Sequence, residues 1–82
     1  MLIQCQDGVT FLTSNHIVCY EVMDNADGSA KIFAHTDDPK VNGPVELCRL
    51  LSHHSAMVAL STMSRKEFQG CANYSFCEGG LL

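Results

Sequence analysis

Hydrophobic positions in the first 36 residues recur at every second place in short runs, the period of a strand with one face toward a core. The run MLIQCQ (1–6) stops at Asp7-Gly8, a two-residue hairpin signal. In the next run Val9, Phe11 and Thr13 share a face, and Ser14-Asn15 supplies a turn, since Asn tolerates positive φ. HIVCYEVM (16–23) carries the strongest strand pattern. Val18, Tyr20 and Val22 line one face, while Ile17, Cys19 and Met23 line the other, interrupted by Glu21. With both faces largely apolar, this strand is expected at the centre of a sheet. DNADGS (24–29) turns the chain, and AKIFAHT (30–36) returns as a fourth strand. Tight turns between short strands predict an antiparallel β-meander over residues 1–36.

The polar connection DDPKVNGP (37–44) ends the meander, and the rhythm then changes to a helical one. Gly43 suits a cap, Pro44 the first helical position and Glu46 the first turn, so a helix is expected over 44–60. At about 100° per residue, Leu47, Leu51, His54 and Val58 fall within roughly 60° of one another. Glu46, Arg49 and His53 fall opposite, on the outer face. AMVALSTM (56–63) also fits a strand alternation, so its state stays open between the two periods. Ser64-x-x-Glu67 matches a capping box, predicting a short second helix that Gly70 would stop. CANYSFC (71–77) alternates again as an edge strand, and the paired glycines of EGGLL favour a flexible tail over 78–82. The expected class is α+β: a four- to five-stranded antiparallel β-meander in a single small domain, 1–82. One main helix from the C-terminal half packs it, with a short second helix after it.

Composition narrows the functional classes. Eighty-two residues, 46% hydrophobic and 17% charged, make a folded domain with a modest core. Of the net charge of −4, all lies in residues 1–42, where six acids face two lysines; residues 43–82 balance three against three. Phosphate binding needs clustered Lys and Arg, and only Arg65-Lys66 are adjacent, so direct nucleic-acid binding is not expected. Five cysteines, an odd number, with no basic and apolar leader, point to a reduced, cytoplasmic setting. No apolar run approaches the ~20 residues of a membrane span, so no membrane partner is expected.

Candidate chemistry is sparse. Zinc sites need paired ligands such as C-x-x-C, whereas the closest cysteines, Cys71 and Cys77, are separated by five residues. On a helix, Cys48 and His54 diverge by about 120° and cannot chelate together. No metal and no cofactor is expected. A Cys–His nucleophile needs a thiolate, a base and an orienting group in one pocket, and the cysteines here sit where small hydrophobes pack. Asp37-Asp38 lacks the loop of a calcium site and marks a solvated turn.

Interaction surfaces remain. One helix covers only one face of strand 16–23, which leaves Ile17, Cys19 and Met23 for a second cover. With the outer helical residues Glu46, Arg49 and His53 and the acidic Asp37 and Asp38, these form the candidate partner-contact set. The expectation is a small, acidic, non-catalytic protein acting through protein–protein contact, as a homodimer. A small Cys/His-dependent enzyme or metal-binding protein is the alternative in another class. The order of four strands, turn and helix resembles small flagellar FlbD-type proteins at Leu12, Asn15, His16-Ile17-Val18, Tyr20-Glu21 and Val45-Glu46. It covers about half the chain, contains no diagnostic motif and implies no function. Small size and acidity are also similar to phage-encoded inhibitors, implying as a further alternative a phage- or host-encoded inhibitor that occupies a surface of a nucleic-acid-processing machine.

Overall fold

The structure, a computed structural model, describes residues 1–76. Its elements run β1 (Leu2–Gln4), β2 (Phe11–Thr13), a 3-10 turn (Ser14–His16), β3 (Ile17–Asp24), β4 (Ala30–Thr36), β5 (Val45–Leu50), α1 (His53–Phe68) and β6 (Asn73–Ser75). The strands form two three-stranded sheets, ordered β2-β1-β6 and β3-β4-β5. The α+β class holds, but the strands do not make one continuous meander.

The first turn follows from local chemistry. The Asp7 carboxylate accepts from the Val9 and Thr10 amides, both at 2.9 Å, and from the Thr10 hydroxyl at 2.6 Å. Gly8 takes the positive φ of +79° that this reversal needs. β1 then pairs antiparallel with β2 on one side and parallel with β6, seventy residues away in sequence, on the other. The edge strand expected within 71–77 is therefore real but parallel; Cys77 and the tail expected over 78–82 lie outside the described residues.

In the second sheet the β3–β4 hairpin closes on Asn25 and Ser29. The Asn25 amide donates to the Ser29 carbonyl at 2.8 Å, Asp27 holds the Ser29 amide and hydroxyl, and Gly28 sits at φ +92°. β3 is not central, as its two apolar faces suggested, but an edge. A bulge between Ile17 and Cys19 removes Val18 from the alternation. Ile17 thereby packs against the core beside Tyr20 and Val22, while Cys19, Glu21 and Met23 face out.

The helix expected over 44–60 is the main correction. Val45–Leu50 is a strand, and the helix starts at His53 and continues unbroken to Phe68. VELCRLL satisfies both periods, and tertiary context decides. β4 needs a second neighbour, and β5 pairs with it while a bulge at Leu47 turns Leu47, Cys48 and Leu50 all inward. Ser52 is the true N-cap, its hydroxyl accepting from the Ser55 amide at 3.1 Å. The capping box at Ser64 lies inside α1, so the expected second helix is its last turns, and AMVALSTM is helical throughout. Gly70 does end it, at φ +83°. Its amide donates to the Glu67 carbonyl and that of Cys71 to Lys66, a Schellman arrangement.

Between the sheets and α1 lies one core: Ile3 and Cys5, Ala30, Ile32 and Ala34, Leu47, Cys48 and Leu50, Ala56, Ala59 and Met63, and Phe76. The helical contribution is mostly alanine, so α1 sits close on β3, β4 and β5. Phe76 stacks edge-on against Tyr74, with ring centroids 5.1 Å apart.

Candidate interaction surface

α1 has an apolar inward side and an outward side on which exposed apolar residues alternate with polar ones. Ala56, Ala59 and Met63 form the inward stripe. His54, Val58, Ser61, Arg65 and Phe68 follow one another at steps of 4, 3, 4 and 3 residues on the outward side, with Met57 beside them and Leu51 ahead of the N-cap Ser52. None of these residues is buried by the chain itself: Leu51 is 62% exposed, Phe68 94%, and Met57 and Val58 are each close to half exposed. Of the expected stripe of Leu47, Leu51, His54 and Val58, only His54 and Val58 lie on α1, where they face away from the sheet, while Leu47 is buried in β5. The missed signal is size: with Ala56 and Ala59 on the opposite side, the smaller residues take the closer contact.

Beside the C-terminal half of α1 lies an open cavity of about 620 Å³, lined by Tyr20, Leu60, Met63, Arg65, Glu67 and Phe68. Burial, followed by the nearby Glu67 charge, raises the Tyr20 hydroxyl above its ordinary pKa, so the phenol stays protonated and able to donate. A smaller hollow of about 300 Å³ lies on the outer face of the first sheet between Leu2, Phe11 and Tyr74.

The candidate contact residues divide into three places. Cys19, Met23, Glu46 and Arg49 share the outer face of the second sheet, since Met23, Lys31 and Arg49 form one cross-strand row and Glu21, Phe33 and Glu46 the next. Glu46 and Arg49 reach that face from β5 and not from a helix. This face is laced with charge: Glu46 meets Lys31 at 3.3 Å, Arg49 meets Asp27 at 2.8 Å and Glu21 meets His35 at 2.9 Å. Such exposed pairs each contribute about 0–1 kcal/mol. Ile17 is turned inward by the bulge. His53 opens α1 with its Nδ1 2.9 Å from Asp24, while Asp37 contacts His16 at 3.2 Å and Asp38 accepts from the Lys40 amide at 2.9 Å.

Among the described residues no group of three His, Cys, Asp or Glu side chains is placed to hold a metal ion. Cys5 and Cys48 are buried free thiols; burial, then the charge of Asp7, pushes Cys5 up to about 11. Burial, then Cys5 and Glu46, pushes Cys48 up to about 12. Both are held away from the thiolate form that nucleophilic or metal chemistry uses. No described helix is long and apolar enough to cross a membrane.

No family model, no curated protein and no solved structure matches the chain. The surface itself must carry the functional reading.

Proposed function

We propose that this chain is a non-catalytic protein-contact module that works as a homodimer and binds its partner through the outer stripe of α1. The observation that carries the reading is the exposure of Met57, Val58 and Phe68 along one side of a sixteen-residue helix whose other side already fills the core, with Leu51 exposed just ahead of its N-cap. The 3–4 spacing of this stripe fits an apolar helix laid along it, with side chains of each entering gaps of the other. Ser61 at mid-stripe lets that helix approach closely. Arg65 and Lys66 border the C-terminal end, which favours acidic residues on the partner there, although the chain as a whole carries −4.

The test compares wild-type protein with Val58→Asp, an exposed position whose substitution leaves the core untouched. A partner captured by the wild type should be lost with the variant at unchanged circular dichroism. A partner retained equally by Val58→Asp and by Leu51→Asp would sink the reading.

A further inference from the structure

The two edges of the β3-β4-β5 sheet are treated differently. The β5 edge is closed from within the chain: the Gln6 amide donates to the Leu47 carbonyl at 2.7 Å, and the Gln6 side chain pairs with Arg49. The β3 edge pairs with nothing further along the described chain, carries no lysine or proline, and is eight residues long. Such an edge is a template for another strand. Resting on the homodimer reading above, we propose that the second copy of this chain pairs antiparallel with β3, making a six-stranded sheet about a two-fold axis at Val22.

The register follows from the hairpin. Because the Asn25 amide bonds to Ser29, alternation directs the backbone groups of Cys19, Glu21 and Met23 toward β4. Those of Tyr20, Val22 and Asp24 point outward, available to a neighbour. Only registers that oppose outward residues with outward residues form a ladder. A two-fold at Glu21 sets two carboxylates directly opposite, about 4.5–5.5 Å apart, which is destabilising. A two-fold at Tyr20 runs into the Val18 bulge and leaves a short ladder. With the axis at Val22, Tyr20 lies opposite Asp24 of the second copy over five regular residues. Glu21 lies opposite Met23, so the row ending in Lys31 and Arg49 on one copy meets the row of Glu21 and Glu46 on the other, base toward acid across the seam.

The helices accept this arrangement. α1 packs across β3, β4 and β5, so the two helix axes stand about three strand spacings apart, roughly 14 Å, against 8–10 Å for bare helix contact. The gap admits Phe68 and covers the cavity beside Tyr20. The rest of each outer stripe, Met57 and Val58 included, stays free on the same side of the sheet, giving two copies of the partner-binding face.

Amide hydrogen exchange on the wild-type dimer, with sedimentation on Val22→Pro and Val58→Asp, decides the matter. Proline at Val22 removes an amide that points away from β4 and so costs no bond within the chain. The expected result is protection of the Tyr20, Val22 and Asp24 amides by at least about a hundredfold at dimer concentrations relative to dilute protein. Val22→Pro is expected to be a folded monomer and Val58→Asp still a dimer. A wild-type dimer whose three amides exchange at the rate of an open edge overturns the β3 interface while leaving the homodimer standing. So does a dimer lost in Val58→Asp and kept in Val22→Pro. A wild-type monomer overturns both. If Val22→Pro does not fold, the wild-type exchange decides alone.

Discussion

The side-chain amide of Gln6 is paired with the backbone of Arg49 in both directions: its Oε1 accepts from the Arg49 amide at 2.9 Å, and its Nε2 donates to the Arg49 carbonyl at 3.2 Å. A glutamine side chain thus stands in for a neighbouring strand and joins the two sheets across 43 positions of sequence. Gln6→Ala is expected to lose both bonds and cost about 1–2 kcal/mol in urea denaturation. Gln6→Glu keeps the acceptor and loses the donor, so it should fall between the two. A Gln6→Ala protein as stable as wild type would show that water replaces the side chain without loss.

Ser52, not Gly43, begins the helix. Ser52→Ala is expected to lower stability by about 1 kcal/mol, the usual worth of an N-cap, while Gly43 enters a turn at φ +72° and has no capping role. Thermal unfolding of the two variants Ser52→Ala and Ser52→Asp separates capping from packing. Asp should restore the melting temperature that Ala loses, and failure of Asp to do so would assign Ser52 another role.

The Thr36 hydroxyl is buried and finds no hydrogen-bond partner among the described residues. Replacing it with a methyl group of similar size removes an unpaid desolvation of about 1–3 kcal/mol. Thr36→Val is therefore expected to raise the melting temperature, and a fall would mean that the hydroxyl is satisfied in solution.

Two kinds of group make stability depend on pH, with opposite signs, the solvent-screened carboxylates more weakly than the buried thiols. Asp7 is held below the ordinary carboxylate range by the Thr10 hydroxyl, then by the Thr10 and Val9 amides; Asp27 by the Ser29 hydroxyl and amide, with Arg49 adding less. For a lowered carboxylate the stabilisation is complete above the unfolded value near 4 and is lost as pH falls through the folded one. Asp27→Asn should flatten that acid limb. Cys5 and Cys48 are raised, so their stabilisation is complete below the unfolded thiol value near 9 and is lost as pH rises toward about 11 and about 12. Alkylation at pH 8 checks the same burial: Cys19 is expected to react in the native state, and Cys5 and Cys48 only on unfolding. Reaction of Cys48 at the rate of Cys19 would contradict the described core.

Local signals in the sequence located the turns well, and this has a physical basis. Asp7-Gly8, the DNADGS hairpin and the Gly70 stop each depend on a few residues whose backbone preferences are intrinsic. Elements that satisfy two periods were not settled locally. VELCRLL alternates and also winds, and only the need of β4 for a neighbour makes it a strand. The same ambiguity misplaced the candidate site. Glu46 and Arg49 share a face with Cys19 and Met23 because β5 is a strand, and the expected stripe breaks up: Leu47 is buried in β5, Leu51 precedes the N-cap, and His54 and Val58 point outward from a helix that starts at His53. The Val18 bulge, which separates Ile17 from Cys19, leaves no mark in the alternation.

Sedimentation equilibrium of the wild-type chain at micromolar concentrations tests the central claim most directly. The account predicts a reversible association from the 9.0 kDa chain to twice that mass. A single 9.0 kDa species across the whole range would contradict it.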